Sequence, residues 1–257
     1  MTVPSRVIAI LQLYLGERRV WTAEAMGRAL DVSTSTAYRY VKELCAAGFL
    51  DPVTGAGYAL GPAIIQYDYF LRTADPVIQH AIPGMRKLIT LSDPRVDVIL
   101  CRRFKDRVLC VHQENGPEPH PPTTYARGVA MPLFLGATSK VILANLPERG
   151  LKRFYLDNEE QIRASGRVRT WKEFKEELKK VRRTGYCLTV SEVAPERAGL
   201  AAPIFRDDQV IASISIVTQS HVFEEIRKSA DIIPEILGVA REISESLDDT
   251  VAEVARS

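Results

Sequence analysis

Residues 22–60 limit the possible folds of this chain more than any other segment. Two short helices are predicted over residues 22–30 and 33–44, with a turn at Asp31-Val32 between them. Residues 49–60 contain the glycines and the Asp-Pro turn of a small β-hairpin. Helix, tight turn, helix and hairpin in this order are typical of a winged helix-turn-helix. The second helix of such a unit has the size to enter a DNA major groove.

Both helices have a capping residue at the predicted start. Thr22 and Ser33 carry hydroxyls that accept a hydrogen bond from a first-turn N–H. Another helix is predicted over residues 5–16, with Ser5 as its cap. In the helix over 33–44 one face is apolar and is expected to be buried, namely Ala37, Tyr40, Val41 and Leu44.

The other face of that helix has the chemistry of a nucleic-acid contact. Small hydroxyls and a helix N-terminus attract phosphate, and Arg39 is the residue type that pairs with guanine through two hydrogen bonds. A generic three-helix bundle with a solvated polar face is the alternative, and the predicted wing favours the DNA-binding interpretation. The candidate DNA-binding residues are Thr22, Ser33, Thr34, Ser35, Thr36, Tyr38, Arg39 and Lys42.

Composition sets broader limits. The chain has 257 residues, which suits two domains, and a formal net charge of +2. Residues 1–60 contain six basic and five acidic side chains, so DNA binding has to depend on charge placement and on a second copy of the domain. The four cysteines form no CxxC pair, which predicts a reduced, cytoplasmic protein. No secretory signal and no apolar run long enough for a membrane span is found.

The rest of the chain reads as a connecting helix followed by an α+β region. Residues 63–74 predict an aromatic-rich helix, and a Pro-rich loop is expected at 116–122. A final helix is predicted over about 222–248, interrupted near Pro234. Antiparallel strands with flanking helices are indicated by a helix at 76–91, strands at 96–102, 107–113, 186–190, 200–205 and 210–218, a mixed stretch at 129–145, and charged helices around 157–183.

Several segments resemble the IclR family of bacterial transcriptional regulators. They are Ser-Thr-Ala-Tyr-Arg at 35–39, Gly-Tyr-Ala-Leu-Gly-Pro at 57–62, Gly-Val-Ala-Met-Pro-Leu-Phe-Leu-Gly-Ala-Thr-Ser-Lys at 128–140, Leu-Ala-Ala-Pro-Ile-Phe at 200–205 and Val-Ile-Ala-Ser-Ile-Ser-Ile-Val at 210–217. The resemblance implies a winged helix-turn-helix over 1–61, a linker helix over 62–75 and a GAF-like effector domain over 76–257. It also implies a homodimer or dimer of dimers on a palindromic operator, with no cofactor.

The resemblance further implies a pocket for a small organic acid or an aromatic effector. Phe134 stands where the family often has His, and Thr189 and Val217 replace more polar or acidic residues of some relatives. We therefore expect a larger or aromatic acid as the ligand. Any one of the apolar positions is also consistent with plain core. The implied lining residues are Leu133, Phe134, Ala137, Thr138 and Ser139 on one side and Thr189, Gly199, Ser215 and Val217 on the other.

Two other functions remain open from the sequence alone. One is a cysteine-dependent or metal-dependent enzyme with an accessory helical domain, for which Cys187 with the distant His221, or a zinc site, would be needed. Nothing in the sequence brings these groups together, so no catalytic and no metal-binding residue is predicted. The other is a sensor that acts through a protein partner. The groups considered for zinc are Cys101, Cys110, His112 and His120, and the residues expected to pair two chains are Ile64, Ile65, Tyr67 and Phe70.

Overall fold

The computed structural model describes residues 3–229 and 231–254. The chain divides into two compact units, Met1–Thr73 and Ala74–Ser257. The first unit has one hydrophobic core, and the second has a core on each face of its sheet. None of the described helices is both long and apolar enough to cross a membrane.

The N-terminal unit is a winged helix-turn-helix followed by a long helix, as predicted. Its elements are α1 Val3–Leu13, α2 Ala23–Leu30, α3 Thr34–Ala46, β1 Leu50–Val53, β2 Gly57–Leu60 and α4 Ala63–Ala74. The expected limits of the first helix, 5–16 with Ser5 as cap, are wrong. The helix begins at Val3, because Pro4 is tolerated in a first turn whose N–H groups have no helical partner. It ends at Leu13, where the backbone changes to turns.

Both predicted caps are confirmed. The Ala25 N–H donates to Thr22 Oγ1 at 3.2 Å, and the Thr36 N–H donates to Ser33 Oγ at 3.2 Å. The apolar face of α3 is buried as expected, at Ala37, Tyr40, Val41 and Leu44. These caps fix where α2 and α3 begin, and therefore which α3 side chains stay on the surface.

The wing is an antiparallel hairpin, but the predicted Asp-Pro turn is wrong, because Asp51 and Pro52 both lie in β1. Val53 pairs with Gly57, so only residues 54–56 lie outside the strands. Trp21 adds a bridge to the hairpin, because its N–H and C=O both bond to the backbone of Tyr58. Gly57 has φ +123°, and an added Cβ would lie 2.5 Å from the Trp21 carbonyl oxygen. Any side chain at position 57 would clash with the Trp21 backbone, so glycine is required where the wing pairs with the segment before α2.

The C-terminal unit is built on one six-stranded antiparallel sheet, which confirms the α+β class. The strand order is β5-β4-β3-β8-β7-β6. Successive residues point to opposite faces, so Val98 and Leu100 join one core while Ile99 and Cys101 join the other. The strands are β3 Asp97–Phe104, β4 Arg107–Asn115, β5 Ala130–Pro132, β6 Cys187–Val190, β7 Arg197–Arg206 and β8 Gln209–Gln219.

Helices cover both faces of this sheet. Those from the two ends of the unit, α5 Pro76–Leu91, α10 Ser220–Ser229 and α11 Ile232–Val254, contribute to one core. The other core holds α6 Ala137–Ala144, α7 Glu148–Asp157, α8 Glu159–Ala164 and α9 Trp171–Thr184. The predicted interruption near Pro234 is confirmed, since α10 ends at Ser229 and α11 begins at Ile232. Pro234 lies in the first turn of α11, where its missing N–H costs no helical hydrogen bond.

Candidate functional site

The outer edge of α3 presents the predicted DNA-binding groups to solvent. Five residues one or two turns apart are all exposed, and we call them the α3 edge: Thr34, Ser35, Tyr38, Arg39 and Lys42. The Arg39 guanidinium carbon lies 5.4 Å from the ring centroid of Tyr40. The Tyr40 ring is buried in the core of the unit, whereas Arg39 stays exposed beside it.

Hydroxyls at the start of α3 form a small network around Ser33. Ser33 Oγ lies 3.1 Å from Ser35 Oγ and 2.8 Å from Thr36 Oγ1, in addition to its cap bond. A hydroxyl has one donor and two acceptor positions, so these contacts occupy most of the hydrogen-bonding capacity of Ser33. Ser33 and Thr22 therefore act structurally on helix starts, whereas Ser35 keeps hydrogen-bonding capacity on an exposed position.

Tyr38 has an acidic partner that the sequence did not reveal. Its hydroxyl donates to Glu24 Oε1 at 3.2 Å, which ties α3 to the first turn of α2. The carboxylate charge of Glu24 is the main cause that raises the pKa of Tyr38. The ring of Tyr38 remains exposed. The hydroxyl is thus held by Glu24, and the ring is open to solvent.

Two arginines beside the wing were also missed as candidate contacts. Arg18 and Arg19 are exposed just before Trp21. Arg18 Nε donates to the Val20 carbonyl at 2.8 Å, and its guanidinium carbon lies 4.6 Å from the Trp21 ring centroid. The sequence signal was the adjacent pair of arginines ahead of the α2 cap.

In the C-terminal unit, the start of α6 is the focus of the predicted effector residues. Gly136 precedes the helix with φ +82°, and an added Cβ would lie 2.6 Å from both Tyr125 Oη and Val193 Cγ2. Its N–H donates to Glu192 Oε1 at 3.0 Å, and the Ala137 N–H donates to Thr189 Oγ1 at 3.2 Å. Groups from β6 and the segment after it thus satisfy N–H groups that a helix start leaves without helical partners.

A cavity lies at this helix start, and we call it the α6 cavity. Its volume is about 20 Å³, roughly the room for a single water molecule. A ligand must therefore displace part of the lining, which consists of Thr124, Tyr125, Ala137, Thr138, Thr189, Glu192, Val193, Arg197, Ala198, Gly199 and Val217.

Five of the nine residues expected in the pocket line this cavity: Ala137, Thr138, Thr189, Gly199 and Val217. The other four lie close by but outside the lining. Ser215 Oγ accepts from Thr138 Oγ1 at 2.9 Å, and Ser139 Oγ lies 3.1 Å from Tyr125 Oη. Leu133 and Phe134 are buried in the core that contains α6. The two charged lining residues, Glu192 and Arg197, were not anticipated.

Glu192 is compensated by a buried lysine. Lys140 Nζ lies 2.6 Å from Glu192 Oε1 and 2.5 Å from Glu177 Oε1. Burial of Lys140 acts to lower its pKa, but the two carboxylates outweigh burial and the pKa of Lys140 is raised. The lysine is therefore charged at neutral pH, and Glu192 does not leave the cavity with an unbalanced negative charge.

Arg197 begins β7 and reaches the Pro-rich loop. Its Nη2 donates to the carbonyl oxygens of Pro121 at 3.0 Å and Pro122 at 2.8 Å. Its Nη1 is buried and makes no hydrogen bond to any described residue. Burial is the main cause that lowers the pKa of Arg197, while the Asp97 carboxylate acts in the opposite direction.

The cysteine and histidine candidates do not assemble into a reactive centre. All four cysteines are free thiols. Burial raises the pKa of Cys187 to about 12, which leaves a neutral, poorly nucleophilic thiol at pH 7. His112 contacts Glu114, and His120 Nε2 lies 2.9 Å from Asp97 Oδ1. Over residues 3–229 and 231–254, no group of three or more His, Cys, Asp or Glu side chains is arranged to hold a metal ion.

Comparison with known proteins decides the family. The model for the C-terminal part of the bacterial transcriptional regulator IclR matches residues 71–245, and a helix-turn-helix domain model matches residues 6–59. The chain belongs to the IclR family of bacterial transcriptional regulators. It is accordingly a DNA-binding transcriptional regulator of the IclR type and not an enzyme.

Individual relatives of this IclR-family chain agree with that assignment. It is 27% identical over 221 residues to the HTH-type transcriptional regulator KipR of Bacillus subtilis, covering 86% of this chain and 87% of the relative. An IclR regulator structure from Alicyclobacillus acidocaldarius is 21% identical, with TM-score 0.76, over 96% of this chain and 99% of the other. A Microbacterium hydrocarbonoxydans IclR homologue solved with 4-hydroxybenzoate is 20% identical, with TM-score 0.70, over 96% and 99% of the two chains. At these identities the two structures support the shared fold.

Proposed function

We propose that this IclR-family regulator binds a palindromic operator as a homodimer or dimer of dimers in the cytoplasm. A small organic or aromatic acid in the α6 cavity changes how much operator is occupied. The observation that carries the proposal is the α3 edge, where polar side chains line a capped helix with the Arg39 guanidinium exposed. The effector-linked part is carried by the α6 cavity.

The proposed DNA-binding residues, which are the α3 edge and its neighbours, divide into groups that read bases and groups that hold phosphate. Ser35, Thr36 and Arg39 lie within two turns of the helix start, the part that enters a major groove in helix-turn-helix proteins. Thr34 and Lys42 are placed for phosphate, and Thr22 and Ser33 hold the two helix starts. Tyr38 contributes its ring. Arg18 and Arg19 add cations beside the wing, which suits a phosphate contact outside the groove.

Helix α4 supplies an apolar surface for a second copy of the chain. None of its residues is buried, although it carries Ile64, Ile65, Tyr67 and Phe70. Ile65 is 73% exposed. Contiguous exposed apolar surface of this kind marks an interaction site, and a twofold partner matches the symmetry of a palindromic operator. The Tyr67 ring stacks on the Phe49 ring, with the two centroids 5.5 Å apart.

The lining of the α6 cavity favours an aromatic or larger acid over a two-carbon or three-carbon acid. Tyr125, Val193 and Val217 give apolar walls, while Thr138 and Thr189 add hydroxyls. The Microbacterium homologue carries 4-hydroxybenzoate, which makes that compound a sensible first probe here. For the ligand to alter operator occupancy it must bind one of two geometries of the protein more tightly.

The test is a binding titration with the DNA upstream of the gene itself and of its neighbours, against an unrelated duplex. Arg39→Ala should lower the preference for the operator by about 5- to 150-fold per half-site, because one bidentate base contact is lost. Arg153→Ala removes the same charge from an exposed position on α7 and should leave the preference unchanged. Retained preference in Arg39→Ala contradicts the assignment. Wild-type protein without salt-dependent DNA binding supports a sensor that works through a protein partner.

A further inference from the structure

We infer that Arg197 binds the carboxylate of the effector through Nη1, and that the ligand is an aromatic monocarboxylic acid. The inference rests on the proposed function and names a residue and a ligand class for its cavity. Arg197 lines the α6 cavity, and its Nη1 is buried without a hydrogen bond to any described residue. A charged donor in that position gains more from a ligand carboxylate than from any neutral group.

The two edges of the Arg197 guanidinium have different uses. Nη2 is fully occupied by the carbonyl oxygens of Pro121 and Pro122. The Asp97 carboxylate, which acts to raise the pKa of Arg197, makes no hydrogen bond to Nη1: its Oδ1 lies 2.9 Å from His120 Nε2, and its Oδ2 is buried without a hydrogen bond to any described residue. The remaining cationic edge therefore stays available to an anion that enters the cavity. A carboxylate beside Nη1 can accept charge-assisted hydrogen bonds from the N–H groups of that nitrogen.

The other lining residues restrict the rest of the ligand. Tyr125, Val193 and Val217 surround an apolar body, and the cavity has little water-sized space until the lining moves. Glu192 lies on the cavity wall, with its charge already balanced by Lys140 at 2.6 Å. A second carboxylate on the ligand would approach Glu192 without a further cation among the lining residues. The cavity consequently selects a monoacid over a diacid.

Arg197 also connects the cavity to the Pro-rich loop at 116–122. The loop leads directly into Thr124 and Tyr125 of the cavity wall, and Arg197 holds its last two carbonyls. His120 fastens the same loop to Asp97, and the Gly116 N–H donates to the Val96 carbonyl at 2.7 Å. A ligand that draws the guanidinium toward the cavity therefore acts on a loop that forms part of the wall.

Calorimetric titration of the full chain with 4-hydroxybenzoate and with uncharged 4-hydroxybenzamide tests the inference. We expect the wild type to prefer the acid by about 10-fold or more, since a charge-assisted hydrogen bond is involved. Arg197→Met should weaken acid binding by about 10- to 100-fold and leave amide binding nearly unchanged. The matched control is Arg153→Met, because Arg153 is an exposed arginine on α7 that lies outside the cavity lining and contacts none of the described lining residues. Its affinities should equal those of the wild type.

Thermal unfolding identifies an Arg197→Met protein that fails to fold, and Arg197→Lys then replaces it. Lysine keeps the charge but cannot donate to the Pro121 and Pro122 carbonyls and to the ligand from two nitrogens, so acid binding should fall by several fold. Equal acid affinity in the wild type and the Arg197 variants overturns the role of Arg197. Equal affinity for acid and amide, or binding of neither probe by the wild type, overturns the ligand class. The proposed function is judged separately, by whether operator occupancy responds to any of a panel of organic acids.

Discussion

Replacing Lys140 by Met should strongly destabilise the C-terminal unit. Lys140 lies in α6, its side chain is 5% exposed, and its Nζ is 2.6 Å from the Glu192 carboxylate, which is 4% exposed. Met preserves length and apolar volume but removes the charge. In the variant, Glu192 would still accept a hydrogen bond from the Gly136 N–H and would lie 3.8 Å from Arg167. Glu177, which is 35% exposed, can turn toward water. The substitution therefore leaves one buried carboxylate poorly compensated.

Removal of one partner from a buried ion pair costs about 3–5 kcal/mol. For a domain of roughly 150–250 residues, each kcal/mol lowers Tm by about 2–4 °C. The expected decrease in Tm of the C-terminal unit is therefore about 6–20 °C. Calorimetry should follow this transition separately from that of the N-terminal unit, because a two-unit chain need not unfold in one step.

Two further variants make the reasoning refutable. Lys179→Met removes a lysine whose partner Glu176 is also well exposed, and should cost less than about 1 kcal/mol. The double variant Lys140→Met with Glu192→Gln removes both charges, and should recover much of the stability lost in Lys140→Met alone. A Tm decrease below about 2 °C in Lys140→Met, or a double variant no more stable than the single one, would contradict the assignment of a buried, mutually dependent pair.

Two other predictions concern a helix cap and a histidine. Ser33→Ala should destabilise the N-terminal unit by about 1 kcal/mol, because the Thr36 N–H loses its acceptor, and chemical denaturation should show a smaller effect for Ser35→Ala. Burial acts to lower the pKa of His120, but hydrogen bonds to Asp97 and to the Glu118 carbonyl outweigh burial, so this pKa is raised. The charged form then adds stability that is fully present below the ordinary pKa of 6.5 and is lost as pH rises through the raised pKa. Accordingly, the Tm difference between wild type and His120→Gln should be larger at about pH 6 than at about pH 8.5, and an equal difference at both would refute the linkage.

Local signals were read correctly from the sequence. A cap depends on one hydroxyl and an N–H three residues later, so Thr22 and Ser33 could be assigned without knowledge of the tertiary structure. The first helix was the error, because α1 begins at Val3 and includes Ser5, which was expected to cap it. Pro4 and Pro234 both lie in first turns, where proline is compatible with a helix, and Pro234 follows the predicted break between α10 and α11.

The charged part of the cavity could not be read in the same way. Arg197 obtains its role from the carbonyls of Pro121 and Pro122, which are 76 and 75 residues away in the chain. Glu192 obtains its role from Lys140 on a different element. Such pairings depend on strand order, and no local pattern encodes them. Leu133 and Phe134 could not be assigned for a different reason. An apolar residue in a buried segment can face either the core or a cavity, and these two lie in the core.

The N-terminal unit carries little net positive charge, so the proposed pairing of two copies through α4 matters for DNA binding. With six basic and five acidic residues over 1–60, one copy gains little from the general attraction to phosphate. In the proposed complex, the one arginine of the α3 edge would supply about 1–3 kcal/mol of base discrimination, whereas specific regulators need roughly 4–10 kcal/mol over non-specific DNA. Two or more copies on one operator would close most of that gap. The proposed pairing through the exposed apolar side chains of α4 would therefore make operator recognition additive.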